Sequence, residues 1–174
     1  MAAVVVVESM FGSTMEVARA VAEGIATLTP VQVVEVGTAP PIESLEVDLL
    51  VVGAPTHAFV LSRPSTRDDA AQQAGGPVVS AGIGVREWLD TGTRCNLSVA
   101  AFDTHVSHPD LPGHAGRAAQ KRLRRLGCTP VVAAASFAVD GVRGPLGPGE
   151  LDRARRWGEH VAGAAFGEVG VLVT

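Results

Sequence analysis

The chain has 174 residues, 47% of them hydrophobic and only 18% charged, with a formal net charge of −4. That composition excludes a disordered chain and fits one domain with a sizeable core. The charge is too mild to name a partner class, and no apolar run is long enough to span a bilayer.

The first apolar run, Ala3 to Val7, is β-branched and predicts a strand. It breaks at Glu8 into Ser9-Met10-Phe11-Gly12-Ser13-Thr14. A helix is predicted over 14–28, with Val17, Ala18, Val21, Ile25 and Leu28 on one face and Thr29-Pro30 as its stop. A second strand is expected over 31–36, followed by the Pro40-Pro41 loop. Leu49-Leu50-Val51-Val52-Gly53 is apolar at every position, as in a central parallel strand covered on both faces. It runs into Ala54-Pro55-Thr56-His57-Ala58-Phe59.

Residues 65–73 predict a helix capped by Ser65 or Thr66, with Asp68 and Asp69 in its first turn and Gly75-Gly76 after it. A short helix carrying Trp88 is expected over 85–90. A fourth strand is expected over 97–102, and Asp103-Thr104-His105 is read as the start of a loop reaching Gly113. A helix over 115–126 closes at Gly127. The fifth strand is expected over 131–139, with an interruption near Ser136, and the last helix over 150–166. Alternation of Val169, Val171 and Val173 predicts an extra edge strand in the tail.

This order of strands and helices predicts an α/β fold of one domain, 1–174, with a parallel sheet and helices on both faces. Ligands of such sheets bind beyond the carboxyl ends of the strands, at the topological switch point. The loops to watch are therefore those after the first, third and fourth strands. The first joins a strand to a helix N-terminus, where free backbone N–H groups and the helix dipole favour an anion. Ser9, Ser13 and Thr14 add neutral hydroxyls, which also suit simple helix capping. The loop has no lysine, unlike a phosphoryl-transfer loop, so it suits a monophosphate that is held rather than transferred.

At these two loops the chain resembles the flavodoxin family. Ser9, Gly12 and Thr14 match the family's phosphate-binding pattern Thr/Ser-x-Thr-Gly-x-Thr, and Gly53-Ala54-Pro55-Thr56 resembles its Gly-x-Pro-Thr segment beside the flavin. The resemblance implies a doubly wound five-stranded sheet of order 2-1-3-4-5 and bound FMN. It implies phosphate at Ser9, Met10, Phe11, Gly12, Ser13 and Thr14. The flavin ring would lie between Pro55, Thr56, His57, Ala58 and Phe59 on one side and Asp103, Thr104 and His105 on the other, with Phe59 stacked and Asp103 and Thr104 on the polar edge. It also implies a redox protein, monomer or homodimer, that carries electrons or reduces a small acceptor through the flavin, and the short first apolar run without a basic flank predicts a cytoplasmic place for it. The donor or acceptor is a partner protein, a small molecule or NAD(P)H. The chain departs from the pattern in having Phe11 in place of a hydroxyl residue and no tyrosine to stack after the fourth strand. These departures support a second reading, a module of this fold that has lost FMN and acts by binding a partner.

Other constellations are less specific. Gly82-x-Gly84 lacks a third glycine, and Val78–Gly82 lacks the first glycine of a nucleophile elbow. His105, His108 and His114 with Asp103 and Asp110 crowd one segment, but their spacing fits no metal motif and is read as a polar loop. Arg117, Lys121, Arg124 and Arg125, and Arg153, Arg155 and Arg156, form basic helix faces without interleaved aromatics, which do not suit nucleic acid. Cys95 and Cys128 stand alone at strand starts and are expected to be unpaired buried thiols that take no part in redox chemistry.

Overall fold

The structure, a computed structural model, describes residues 1–57, 60–107 and 113–167. Among these residues five α-helices and six strands follow one another in the order β1 (Ala3–Val7), α1 (Ser13–Ile25), β2 (Val31–Glu35), β3 (Leu49–Pro55), α2 (Pro64–Ala74), α3 (Val85–Asp90), β4 (Ser98–Val106), α4 (Ala115–Arg125), β5 (Thr129–Pro130), β6 (Ala135–Val139) and α5 (Glu150–Phe166). All ladders are parallel, in the order β2-β1-β3-β4-β5, with β6 also paired to β4. The order reverses between β1 and β3, which makes this the switch point.

Strand periodicity divides the core in two. Val5, Val7, Leu49, Val51, Ala100 and Phe102 face α1 and α5, while Val4, Val6, Leu50, Val52, Val99 and Ala101 pack with Trp88, Leu89 and Leu123 of α3 and α4. Phe102, Phe137 and Trp157 meet edge to face, with ring centroids 5.9 to 6.3 Å apart. On the same side, α1 crosses α5 through Gly24 and Gly158. A Cβ on Gly24 would strike Arg155 O, and one on Gly158 would strike Val21 O. Backbone therefore lies on backbone at that crossing.

Several expectations are corrected. Strand β4 continues through Val106, so Asp103, Thr104 and His105 are strand residues, paired with β3 and β6. The fifth strand is two short pieces, and the break falls at 131–134 rather than at Ser136. There Gln120 Nε2 donates to Val132 O at 2.8 Å, so a side chain of α4 takes a carbonyl from the stretch between the two pieces. Helix α2 starts at Pro64 with Arg63 as its N-cap, and Thr66 Oγ1 accepts the Arg63 N–H at 2.9 Å. Proline at the first helical position loses no bond. Helix α1 ends at Ile25, short of Leu28, which is exposed.

The cysteines are also corrected. Cys95 and Cys128 form a disulfide, with Cα atoms 6.0 Å apart. The parallel pairing of Ser98 with Thr129 brings the two chain segments together. No helix among the described residues is long and apolar enough to cross a membrane. The predicted tail strand lies outside the described residues.

Candidate functional site

A cavity of about 320 Å³ opens at the carboxyl ends of β1, β3 and β4. That is the lower end of the range for small-molecule sites. Its walls take Met10, Phe11, Ser13 and Thr14 from the first loop, and Pro55, Thr56 and His57 from the end of β3. Thr104 and His105 of β4 complete the expected set.

The first loop turns sharply from β1 into α1. Gly12 is the N-cap of α1 with φ +103°, a left-handed turn that L side chains rarely adopt. Ser9 does not line the cavity. It is fully buried, and its Oγ accepts the N–H groups of Gly12 (3.2 Å) and Met15 (3.3 Å). Its own N–H donates to Ser80 Oγ at 3.0 Å. Ser9 therefore shapes the loop from below. The amides of Met10, Phe11, Ser13 and Thr14 have no acceptor among the described residues, and all four residues border the cavity. Thr14 Oγ1 shares a 2.8 Å hydrogen bond with Thr104 Oγ1. Phe11 is half-buried, and the Arg143 guanidinium lies 5.9 Å from its ring centroid.

The loop is braced by a buried network that the sequence reading missed. Glu8, the residue that breaks the first apolar run, is fully buried. It accepts the Ser62 hydroxyl and the Val85 N–H, the latter at 2.8 Å. Arg67 of α2 donates to Ser62 Oγ at 2.9 Å and pairs with Glu87 at 3.1 Å. Burial holds the Glu8 carboxyl above the usual carboxylate range, against the hydrogen bonds and the Arg67 charge that lower it. A lone carboxylate straight after five buried strand residues was the available signal.

Around the second loop, Thr56 N–H donates to Thr104 O at 2.8 Å, and Thr56 Oγ1 accepts the Ala115 N–H at 3.1 Å. His57 pairs with Val60 in an antiparallel bridge. Burial, with the Arg67 charge second, pulls the His57 imidazole below its ordinary range and keeps it neutral. Ala58 and Phe59, expected against the ring, lie outside the described residues, as do His108 and Asp110.

Asp103 does not reach the cavity. Its carboxylate is buried, with Oδ2 accepting the Gly116 N–H at 2.8 Å and Oδ1 bonded to Ser136 Oγ. Both oxygens are committed to the junction of β4, α4 and β6. Four lining residues come from α2, namely Thr66, Asp69, Ala70 and Gln73. Val139, Gly141 and Val142 close the side next to the first loop. The sequence reading had looked only at loops after strands, and a helix lying across them gave no such cue.

No family model matches the chain, and no curated protein matches it in sequence. Solved structures do match. An archaeal flavodoxin aligns over 93% of this chain and 96% of its own at 20% identity, with a TM-score of 0.65. Oxidised flavodoxin 2 from Bacillus cereus aligns over 93% and 98% at 16% identity, with a TM-score of 0.68. Rubredoxin oxygen:oxidoreductase from Desulfovibrio gigas aligns over 98% of this chain but only 37% of its own, at 15% identity and a TM-score of 0.60. The sheet order, the switch-point cavity and these alignments agree: the chain has the flavodoxin-like fold.

Proposed function

We propose that the chain binds FMN in this cavity and works as a redox protein through the flavin. The observation that carries this reading is the set of four amides, on Met10, Phe11, Ser13 and Thr14, that have no acceptor among the described residues. They lie at the positive end of α1, where a terminal phosphate is favoured without any lysine. Ser13 and Thr14 would add hydroxyl donors. Pro55, Thr56 and His57 would border one side of the ring, and Thr104 and His105 the other. When bound, the flavin supplies the electron or hydride transfer, and the chain supplies orientation and a partly water-free wall. A neutral His57 adds no charge to that wall.

Electrons would pass to or from a partner protein, a small acceptor or NAD(P)H. A cytoplasmic place belongs to the same reading, and the Cys95–Cys128 bridge would there face the reducing thiol pool. The test is a titration of apoprotein with FMN and, separately, FAD, followed by flavin fluorescence. Saturable binding with FMN preferred supports the reading, and oxidation of NADPH with a quinone then separates reductase from carrier. FAD preferred over FMN overturns the phosphate placement. No binding at millimolar FMN replaces this reading with the partner-binding one.

A further inference from the structure

Beside the cavity, four side chains from β4, β6 and the start of α4 converge. Asp103 and His105 stand two residues apart on β4, which sends both to one face. His114 is the N-cap residue of α4, and Ser136 comes from β6. Asp103 Oδ1 lies 3.9 Å from His105 Nδ1 and 3.8 Å from His114 Nδ1. One donor atom from each of Asp103, His105 and His114 lies within 4.8 Å of the other two. The imidazoles meet edge to face with centroids 5.4 Å apart. Asp103 is buried and the histidines are half-buried, so the cluster is anchored inside and open outside.

We propose that Asp103, His105 and His114 bind one divalent transition-metal ion of the zinc class. Two imidazole nitrogens and one carboxylate oxygen suit zinc, copper or nickel better than calcium or magnesium. Three protein ligands leave a fourth position open on the exposed side. Bonds of about 2.0–2.2 Å to a tetrahedral ion separate donor atoms by roughly 3.3–3.5 Å. Each Asp–His pair must therefore close by about half an ångström, which a half-buried ring can supply by rotation. The carboxylate is already oriented, because its other oxygen accepts the Gly116 N–H. Such support behind a ligand is characteristic of built metal sites.

Ser136 joins the three side chains. Its Oγ contacts Asp103 Oδ1, His105 Nδ1 at 2.8 Å and His114 Nδ1 at 3.2 Å. A hydroxyl has one proton and two lone pairs. It satisfies all three partners when it donates to Asp103 and both rings donate from Nδ1. The hydroxyl thus stands where an ion would. On binding, each neutral ring moves its one proton from Nδ1 to Nε2 by exchange with solvent, which frees the Nδ1 lone pair for the ion, and Ser136 turns aside. His105 also lines the large cavity, so the ion would sit in its wall. The proposal needs no flavin and stands apart from the FMN reading.

The test is titration of the metal-stripped full chain, free of flavin, with Co²⁺, followed by visible absorption, and then competition by Zn²⁺. The expected result is one ion per chain, bound in the micromolar range or tighter and displaced by Zn²⁺. His105→Gln and His114→Gln should each weaken binding by on the order of tenfold or more. Ser136→Ala should bind as well as the parent or better, because it removes the competing hub. Circular dichroism of each variant confirms that it is folded. No saturable binding at millimolar Co²⁺ overturns the proposal. So does binding that survives both histidine substitutions together, or that Ser136→Ala abolishes in a folded protein.

Discussion

Thr14 Oγ1 and Thr104 Oγ1 lie 2.8 Å apart, joining the first residues of α1 to a strand two places along the sheet. One proton lies between the two oxygens, so the other hydroxyl proton is free for a ligand. If Thr104 donates to Thr14, the Thr14 hydroxyl is turned toward the proposed phosphate. Thr104→Val should therefore weaken FMN binding by roughly one neutral hydrogen bond, about 0.5–1.5 kcal/mol. That is about two- to tenfold in Kd. Fluorescence titration of the variant reads it, and an unchanged Kd would show that Thr14 is oriented by other means.

Phe11 stands where the flavodoxin pattern has a hydroxyl residue. Phe11→Thr should tighten FMN binding, since a hydrogen bond to a charged group contributes about 1.5–3 kcal/mol. The gain is about ten- to hundredfold in Kd. The Arg143 contact with the ring is lost in the variant, at a cost of about 0.5–1 kcal/mol of stability for an exposed cation–π pair. Tighter binding with slightly lower urea resistance is the expected combination. Weaker FMN binding would show that the ring itself touches the ligand.

Cys95 and Cys128 close a loop with a sequence separation of 33. The chain-entropy relation gives such a bridge about 3–4 kcal/mol. The double variant Cys95→Ser with Cys128→Ser should lose stability of that order in urea melts. Its FMN affinity should not change, because the bridge lies at the amino end of β4 and the cavity at the carboxyl end. A large drop in FMN affinity with little loss of stability would reverse this assignment.

His57 sets a pH window. Burial lowers its folded-state value below the ordinary 6.5, so the unfolded chain takes up the proton first. Stability from the neutral ring is present above pH 6.5 and is lost as pH falls through the folded-state value. His57→Gln cannot take up that proton. Comparing urea midpoints at pH 7, 6 and 5, the parent should fall more steeply than the variant. Parallel curves would mean that His57 does not titrate differently on folding.

Much of the sheet was legible because its central strands are covered on both faces. Runs such as Ala3–Val7 and Leu49–Val52 are apolar at every position, and few other structures allow that. The carboxyl half of β4 was not legible for the same reason reversed. Asp103, Thr104 and His105 lie where the strand meets the cavity and the α4 junction, so their polarity reads as loop while their backbone stays in the ladder. Residues 131–134 mislead in the opposite direction, being apolar but outside the two strand pieces. The disulfide carried no motif, since only the β4–β5 register brings Cys95 near Cys128. At the site, the first and third loops were found by their hydroxyl, glycine and proline residues. The roles of Glu8, Asp69 and Gln73 depend on how α2 and α3 dock, which no local pattern records.

The Gly24–Gly158 crossing makes α1 a lever with its fulcrum far from the load. From Gly24 to Ser13 the helix runs roughly 16 Å at 1.5 Å per residue. A tilt of about 3–4° at the crossing would move the N-terminal amides by about 1 Å, enough to spoil a hydrogen bond to the proposed phosphate. Because the crossing is backbone against backbone, it has little soft side chain in which to absorb an error. A single added methyl group at Gly24 or Gly158 is thus transmitted along the helix to the first loop. Aim at one end of the molecule is calibrated by clearance at the other.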